Sequence, residues 1–372
     1  MLAIALGLIA LFLFFYIGKQ NAKSDNMDFN NMKISTMQNK NLFSFDPRLQ
    51  KGVASPFTTV LNDNIYLVGG CNFPYTPNID NGEKVFYNEI YKAKVGYSDI
   101  LEWQKVGELP LKLAYGVCLS DSSHVYFIGG SGPAGSSKSV WRLSNEDQLE
   151  QLASLPVSLD NMAGAIMDNK IYLVGGNADG KASNRVFRLD LGFMNGSWEE
   201  LPPMPGDPRT QPVCAAVNSR LYVFGGFAGP QGDKAATMSL SGLCYHPTAN
   251  TWVEVRTPCD ENGESISLGG GAAVVMGDRI ICTGGVNKEI FLNALNGQYE
   301  RQFYLSQDPS WYGINSKILA YNPFSDSWDV LGESEKTARA GAGMVACGSY
   351  AFVINGEIQP GIRSSEITRL SF

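Results

Sequence analysis

Near the end of the chain a carboxylate and a guanidinium lie close together: Glu357 and Arg363, in the run INGEIQPGIR at 354–363. A glutamate in a partly dry opening can take up and return a proton near neutral pH. An arginine can hold a ligand carboxylate through two parallel hydrogen bonds. Linked through a Pro-Gly turn, the two form a candidate acid/base and anion clamp; read alone, they are also what an ordinary surface ion pair looks like. Arg209, Arg339, Asn287, Asn72, Tyr115 and Asn161 are further polar groups that could touch a ligand if the fold gathers them.

Other chemistry is set aside on the same grounds. GSGPAG at 130–135 has the spacing of a dinucleotide loop, but SSKSVWRL after it reads as a strand, so no helix N-terminus is there to receive phosphate. His124 and His246 have no partner at ligand spacing, which argues against a metal site and against a Ser-His-Asp hydrolase. Neither a metal nor a cofactor is expected. The seven cysteines are odd in number and contain no C-x-x-C. Cys118, Cys214, Cys282 and Cys347 sit in apolar runs, where a thiol acts as a small core residue. Asn195-Gly196-Ser197 matches a glycosylation acceptor but reads as turn chemistry. There is no S-x-D-x-G-x-x-W box of the sialidase type.

The elements that must position Glu357 come from a repeat. YLVGG ends at Gly70, YFIGG at Gly130, YLVGG at Gly176, YVFGG at Gly226, ICTGG at Gly285 and FVING at Gly356, 46 to 71 residues apart. Before each lies an apolar strand and a polar turn. After each comes a variable loop, a third strand and often a Trp-bearing fourth, as in GLCYHPTANTWVEV. Each four-stranded unit has two apolar faces and cannot bury both alone, so the units must stand side by side around an axis. The glycine doublet permits close approach and positive φ near that axis. After Gly356 only enough chain remains for one further strand, so the missing outer strand of the last unit is expected from about 32–50. The loops after each doublet and those before each first strand open on one face, which is the default binding site. In the longest loop, about 286–317, Ile290, Phe291, Ala294, Leu295 and Tyr299 recur at helical spacing and predict a short lid over that face.

Composition agrees with many short strands: 40 Gly, 11% aromatic and 17% charged residues. A net charge of −7 leaves no basic excess for nucleic acid. Residues 2–17, LAIALGLIALFLFFYI, are continuously apolar and are expected to be a signal or membrane-anchor segment. The organisation expected is therefore a leader or anchor helix at 1–18, a polar linker at 19–40 and a repeat domain at 41–372, exported to the periplasm or anchored facing it, with contact to a membrane only through that leader.

The doublets, with Tyr and Trp at later offsets, resemble the kelch family over roughly 45–372, implying an all-β, six-bladed β-propeller closed by pairing its N- and C-terminal strands. GGVNKEIF at 284–291, SWYGI at 310–314, GESEKTARAGAGMV at 332–345 and INGEIQPGIR resemble the bacterial N-acetylneuraminate epimerases (sialic acid mutarotases), six-bladed kelch enzymes. The INGE unit comes last here and mid-chain in the better-known members, as in a cyclically permuted branch. The resemblance implies a cofactor-independent isomerase that interconverts the anomers of a sialic acid. It places the implicated acid/base on Glu357 and the carboxylate clamp on Arg363, with Arg209, Arg339, Asn287, Asn72, Tyr115 and Asn161 as substrate contacts. The competing expectation is a non-catalytic propeller that holds a protein or glycan partner at the same face.

Overall fold

A computed structural model of the chain describes residues 27–42, 46–193 and 196–372. The expected leader at 1–18 lies outside the described residues. Among the described residues, no helix is long and apolar enough to cross a membrane.

The protein is all-β. Its described residues form six antiparallel sheets of four main strands, with strands hydrogen-bonded in chain order within the first five and an N-terminal strand completing the sixth. Their first strands are Phe57–Leu61 (sheet I), Val117–Ser120 (II), Ala163–Met167 (III), Val213–Val217 (IV), Gly271–Met276 (V) and Gly343–Cys347 (VI). The sequence dictates the layering. In sheet I the first strand alternates, with Phe57, Thr59 and Leu61 buried, while Ile65–Val68 of the second strand are buried without a break. A strand buried on both faces must be flanked by other layers, and those layers are the neighbouring sheets. The first strands pack side by side in the order I, II, III, IV, V, VI, and that of sheet VI packs on that of sheet I. Tyr and Phe from second and third strands fill the spaces between sheets, as with Tyr222, Phe224 and Tyr321 between IV and V. Each such side chain stabilises by about 1.5–3 kcal/mol relative to exposure. The fourth-strand tryptophans lock neighbours together: Trp198, Trp252 and Trp328 donate Nε1–H to Ala153, Pro202 and Arg256 carbonyls of the preceding sheet.

A second set of bonds joins all six sheets. The turn before each first strand places one residue at positive φ: Ser55, Tyr115, Asn161, Gln211, Gly270 and Gly341. The amide of each donates to the carbonyl of its predecessor: Tyr115 to Ser55 (3.0 Å), Asn161 to Tyr115 (2.7 Å), Gln211 to Asn161 (2.7 Å), Gly270 to Gln211 (3.0 Å) and Gly341 to Gly270 (2.8 Å). The Ser55 amide then donates to Gly341 at 2.7 Å, so the six bonds form a cycle.

The fourth strand of sheet VI is Lys33–Thr36, antiparallel to Ile367–Ser371, with Lys33 opposite Ser371. Gln38–Lys40 adds a parallel fifth strand to sheet I beside Ile100–Glu108. The expected closing strand is thus present, whereas the expected linker boundary needs correction: 33–40 belong to sheets. Their polar composition misleads because an outer strand has one face in water.

Candidate active site

The doublet Asn355-Gly356 ends the second strand of sheet VI, and Glu357 starts a two-stranded ribbon, Glu357–Gln359 with Ile362–Arg363. Glu357 is directly opposite Arg363 in that ribbon. The Pro360-Gly361 turn makes the pairing possible, with Gly361 at φ 88°. The ribbon is tied to the ring of turns, since Glu357 and Ala340 exchange backbone hydrogen bonds of 2.7 and 2.9 Å. Arg363 Nη2 meets Glu357 Oε1 at 2.6 Å; the arginine side chain is 2% exposed and the glutamate side chain 27%. The guanidinium lies over the Phe73 ring at 4.8 Å. Its Nε and Nη1 are buried and have no hydrogen-bond partner. A buried donor without an acceptor is costly, so this group is arranged for a partner that the protein itself does not supply.

The long loop of sheet V builds a wall over the ribbon. Helix α1, Lys288–Leu295, is capped by Asn287, whose Oδ1 accepts from the Ile290 amide at 3.1 Å. Helix α2, Arg301–Leu305, and the turn Pro309–Tyr312 complete it. One end is fastened to sheet IV through the Ala236 amide and Asn296 Oδ1 (2.8 Å) and an edge-on Phe227–Phe291 contact. The other end reaches a loop of sheet I, where Arg301 donates to the Ile79 carbonyl at 3.0 Å and to that of Asn78. Beneath it is a cavity of about 360 Å³, lined among others by Asn287, Phe291, Tyr299, Arg301, Tyr304 and Glu357. Ile290, Ala294 and Leu295, read from helical spacing, line it too. Burial pushes the Tyr304 phenol up to about 12, with Tyr312 and Glu357 adding to the effect.

A second cluster flanks Phe73. Lys84 Nζ lies 3.3 Å from the Tyr115 hydroxyl and over both the Tyr115 and Phe73 rings. Cys71 Sγ lies 3.3 Å from the same hydroxyl. Burial holds the Tyr115 phenol well above its usual range, with Cys71 and Glu357 contributing in the same sense. Burial likewise raises the Cys71 thiol.

The structure thus brings Glu357 and Asn287 to one opening, with Arg363 buried behind Glu357 and linked to Tyr115 through Phe73 and Lys84. Asn161 caps the cluster of polar side chains around Asp160: it donates to Asp160 Oδ1, as does Asn177 (2.8 Å), and accepts from Gln211 at 2.6 Å. Three expected contacts are structural instead. Arg209 is buried between sheets and donates to the Gly225 and Pro205 carbonyls and to Ser241. Arg339 does the same at the equivalent place in sheet VI, donating to the Asn355 and Glu366 carbonyls (3.2 and 2.7 Å) and to Thr368 (3.1 Å). Asn72 is buried, donating to the Arg48 and Gly52 carbonyls and accepting from Tyr87. Sequence reasoning missed Lys84, in an irregular loop of sheet I, and Arg301 and Tyr304, in helix α2 of the insert. Their cation and aromatic character between Gly-Gly and the third strand was the only available signal.

The sequence model of the N-acetylneuraminate epimerases matches residues 152–372. The chain belongs to the N-acetylneuraminate epimerase family. Similar curated proteins are the N-acetylneuraminate epimerases of Haemophilus influenzae strain PittEE (31% identical over 225 residues, 57% of each chain), Yersinia enterocolitica (29% over 230 residues, 59% of this chain and 57% of the relative) and Escherichia coli K12 (28% over 236 residues, 59% and 60%). A solved structure titled "Structure of YjhT" is similar with a TM-score of 0.53 at 28% identity, over 59% of this chain and 65% of that one. The matches span less than two thirds of these relatives' length. Within the epimerase-family region lie Glu357, Arg363, Asn287 and the whole insert; Asn72, Lys84 and Tyr115 precede it.

Proposed function

We propose that this chain is a six-bladed β-propeller that interconverts the α and β anomers of N-acetylneuraminic acid by opening and reclosing the sugar ring. Six sheets in series, first strands adjacent in cyclic order and the cycle of turn hydrogen bonds all support the propeller reading. A cyclic permutation relative to its relatives explains why a linear match begins at residue 152. The family relationship supports the substrate.

One observation carries the chemistry: the buried Arg363 keeps two unpaired N–H groups while its third nitrogen holds Glu357 at the cavity. The guanidinium charge beside Glu357 is where the substrate carboxylate, which sits on the anomeric carbon, would be held. Clamping that carboxylate sets the anomeric hydroxyl near the Glu357 carboxylate. Glu357 takes the hydroxyl proton as the bond from anomeric carbon to ring oxygen breaks, giving the open keto form. Rotation about the adjacent carbon–carbon bond presents the other carbonyl face. The ring oxygen then attacks, and Glu357 returns the proton to the new anomeric hydroxyl. The aromatic wall of the insert keeps the opened chain from leaving and thins the water around Glu357.

The test is proton NMR of anomer exchange in freshly dissolved sialic acid. The protein should exceed the buffer rate, and Glu357→Gln should lose about 10²–10⁴-fold, the usual range for a positioned acid/base, with an unchanged thermal midpoint. Wild-type exchange at the buffer rate with several sialic acids overturns the reading. We further propose that the propeller is exported to the periplasm or anchored facing it, on the strength of the apolar run at 2–17; recovery of full-length protein in the cytosolic fraction would overturn that.

A further inference from the structure

Ring opening needs a second proton. As Glu357 removes one from the anomeric hydroxyl, the departing ring oxygen must receive another, and a carboxylate on one side of the ring cannot serve both atoms at once. We propose that the Tyr115 hydroxyl, oriented and charged by Lys84, is the proton donor to the ring oxygen. This rests on the mutarotase reading and adds a residue and a partner to it.

Four observations lead there. Lys84 and Arg363 share the Phe73 platform, with Lys84 Nζ 5.9 Å and Arg363 Cζ 4.8 Å from its ring centroid, and Lys84 in turn lies over the Tyr115 ring at 5.4 Å. The site therefore runs through three adjacent sheets, from Glu357 and Arg363 of VI, past Phe73 of I, to Tyr115 at the start of II. The Tyr115 oxygen accepts from Lys84 Nζ and lies beside Cys71 Sγ, both at 3.3 Å. Cys71 Sγ, whose single S–H also reaches the Ala54 carbonyl at 3.8 Å, is the protein atom placed to take the Tyr115 O–H, and a sulfur is a weak acceptor, so that proton can turn to a ligand oxygen. Finally, Tyr115 sits at φ 61°, a left-handed conformation that an aromatic residue adopts at a cost, and such strain collects at functional positions. The equivalent turns elsewhere carry Ser, Asn, Gln or Gly.

The proton balance closes. On opening, the electron pair of the breaking carbon–oxygen bond goes to the ring oxygen, which takes the Tyr115 proton. The phenolate left behind is met by the Lys84 ammonium at its oxygen. On reclosure the ring hydroxyl returns its proton to Tyr115 as its oxygen bonds to the anomeric carbon. Glu357 gains and loses its proton in the opposite phase, so the protein ends each turnover unchanged. Lys84 is exposed at the rim and stays solvated, which suits it to supporting a transient negative charge without being locked into a buried pair.

Tyr115→Phe keeps the ring and backbone and removes only the hydroxyl. In an active wild-type background its saturating exchange rate should fall about 10²-fold, with half-saturating substrate within about twofold of wild type, because the carboxylate clamp is untouched. Lys84→Met should lower the same rate about tenfold, and Tyr115→Phe/Lys84→Met should be no slower than Tyr115→Phe alone, since the two act as a unit. The thermal midpoint of Tyr115→Phe should stay at the wild-type value, which separates the lost chemistry from any loss of folding. A Tyr115→Phe protein at the wild-type rate, a loss seen only in half-saturation, or additive single effects would overturn the donor role while leaving Glu357 in place. Wild-type exchange at the buffer rate would overturn both readings together.

Discussion

Sheet VI holds two buried arginines, and they behave in opposite ways. Arg339 lies between sheets with its guanidinium bonded to the Asn355 and Glu366 carbonyls and the Thr368 hydroxyl. Burial lowers its pKa to about 10, with Glu366 opposing, so it stays charged at neutral pH. Arg363 is as dry, yet it holds one carboxylate and leaves Nε and Nη1 unpaired. Charge and burial are therefore shared by a scaffold strut and the group proposed to bind the substrate. What separates them is whether the donors are already satisfied within the chain.

The contrast can be broken from either side. The largest effect on stability should come from Arg339→Met, which takes the guanidinium from the buried Asn355 carbonyl, the Glu366 carbonyl and the Thr368 hydroxyl and should cost on the order of 3 kcal/mol, read from the denaturant midpoint. The exchange rate per folded molecule should not change; a lost rate with intact stability would make Arg339 part of the site after all. Arg363→Met should do the reverse. Losing the charge-assisted bonding to the substrate carboxylate is worth about 2 kcal/mol, roughly a thirtyfold rise in half-saturating sialic acid, while within the protein only the Nη2 contact to the part-exposed Glu357 is lost, so stability should fall less than in Arg339→Met. An equal loss for a neutral sugar would show that Arg363 is no carboxylate clamp. The smallest effect belongs to the fastening of the insert. Arg301→Ala removes exposed bonds to the Asn78 and Ile79 carbonyls and should raise half-saturation less than about fivefold, under ~1 kcal/mol, as measured in the same NMR assay.

Strand order was legible because the Gly-Gly doublets mark every second strand and set the spacing of the rest. Glu357 and Arg363 were legible because a doublet, a carboxylate and a Pro-Gly turn lie in one short run. Arg209 and Arg339 were not, since each precedes a first strand on the face where ligands bind. Nothing in residue type says whether a side chain there turns into the opening or back between two sheets. Asn72 was misread for a similar reason: it follows a doublet, but its amide is needed to satisfy the Arg48 and Gly52 carbonyls. Lys33–Thr36 looked like linker because an outer strand needs few apolar residues. Lys84 was hidden because its partners are the far end of its own irregular loop, Phe73, and a turn of the next sheet, Tyr115.

The strand pairing in sheet VI has a biosynthetic consequence. Residues about 330 positions apart meet there, as in the Thr36 hydroxyl and Glu366 carboxylate at 2.9 Å. A nascent chain on the ribosome cannot make that join until nearly all of it has emerged. The sheet from which Glu357 emerges is therefore the last to be completed, and a stalled polypeptide lacks the closed ring that holds it.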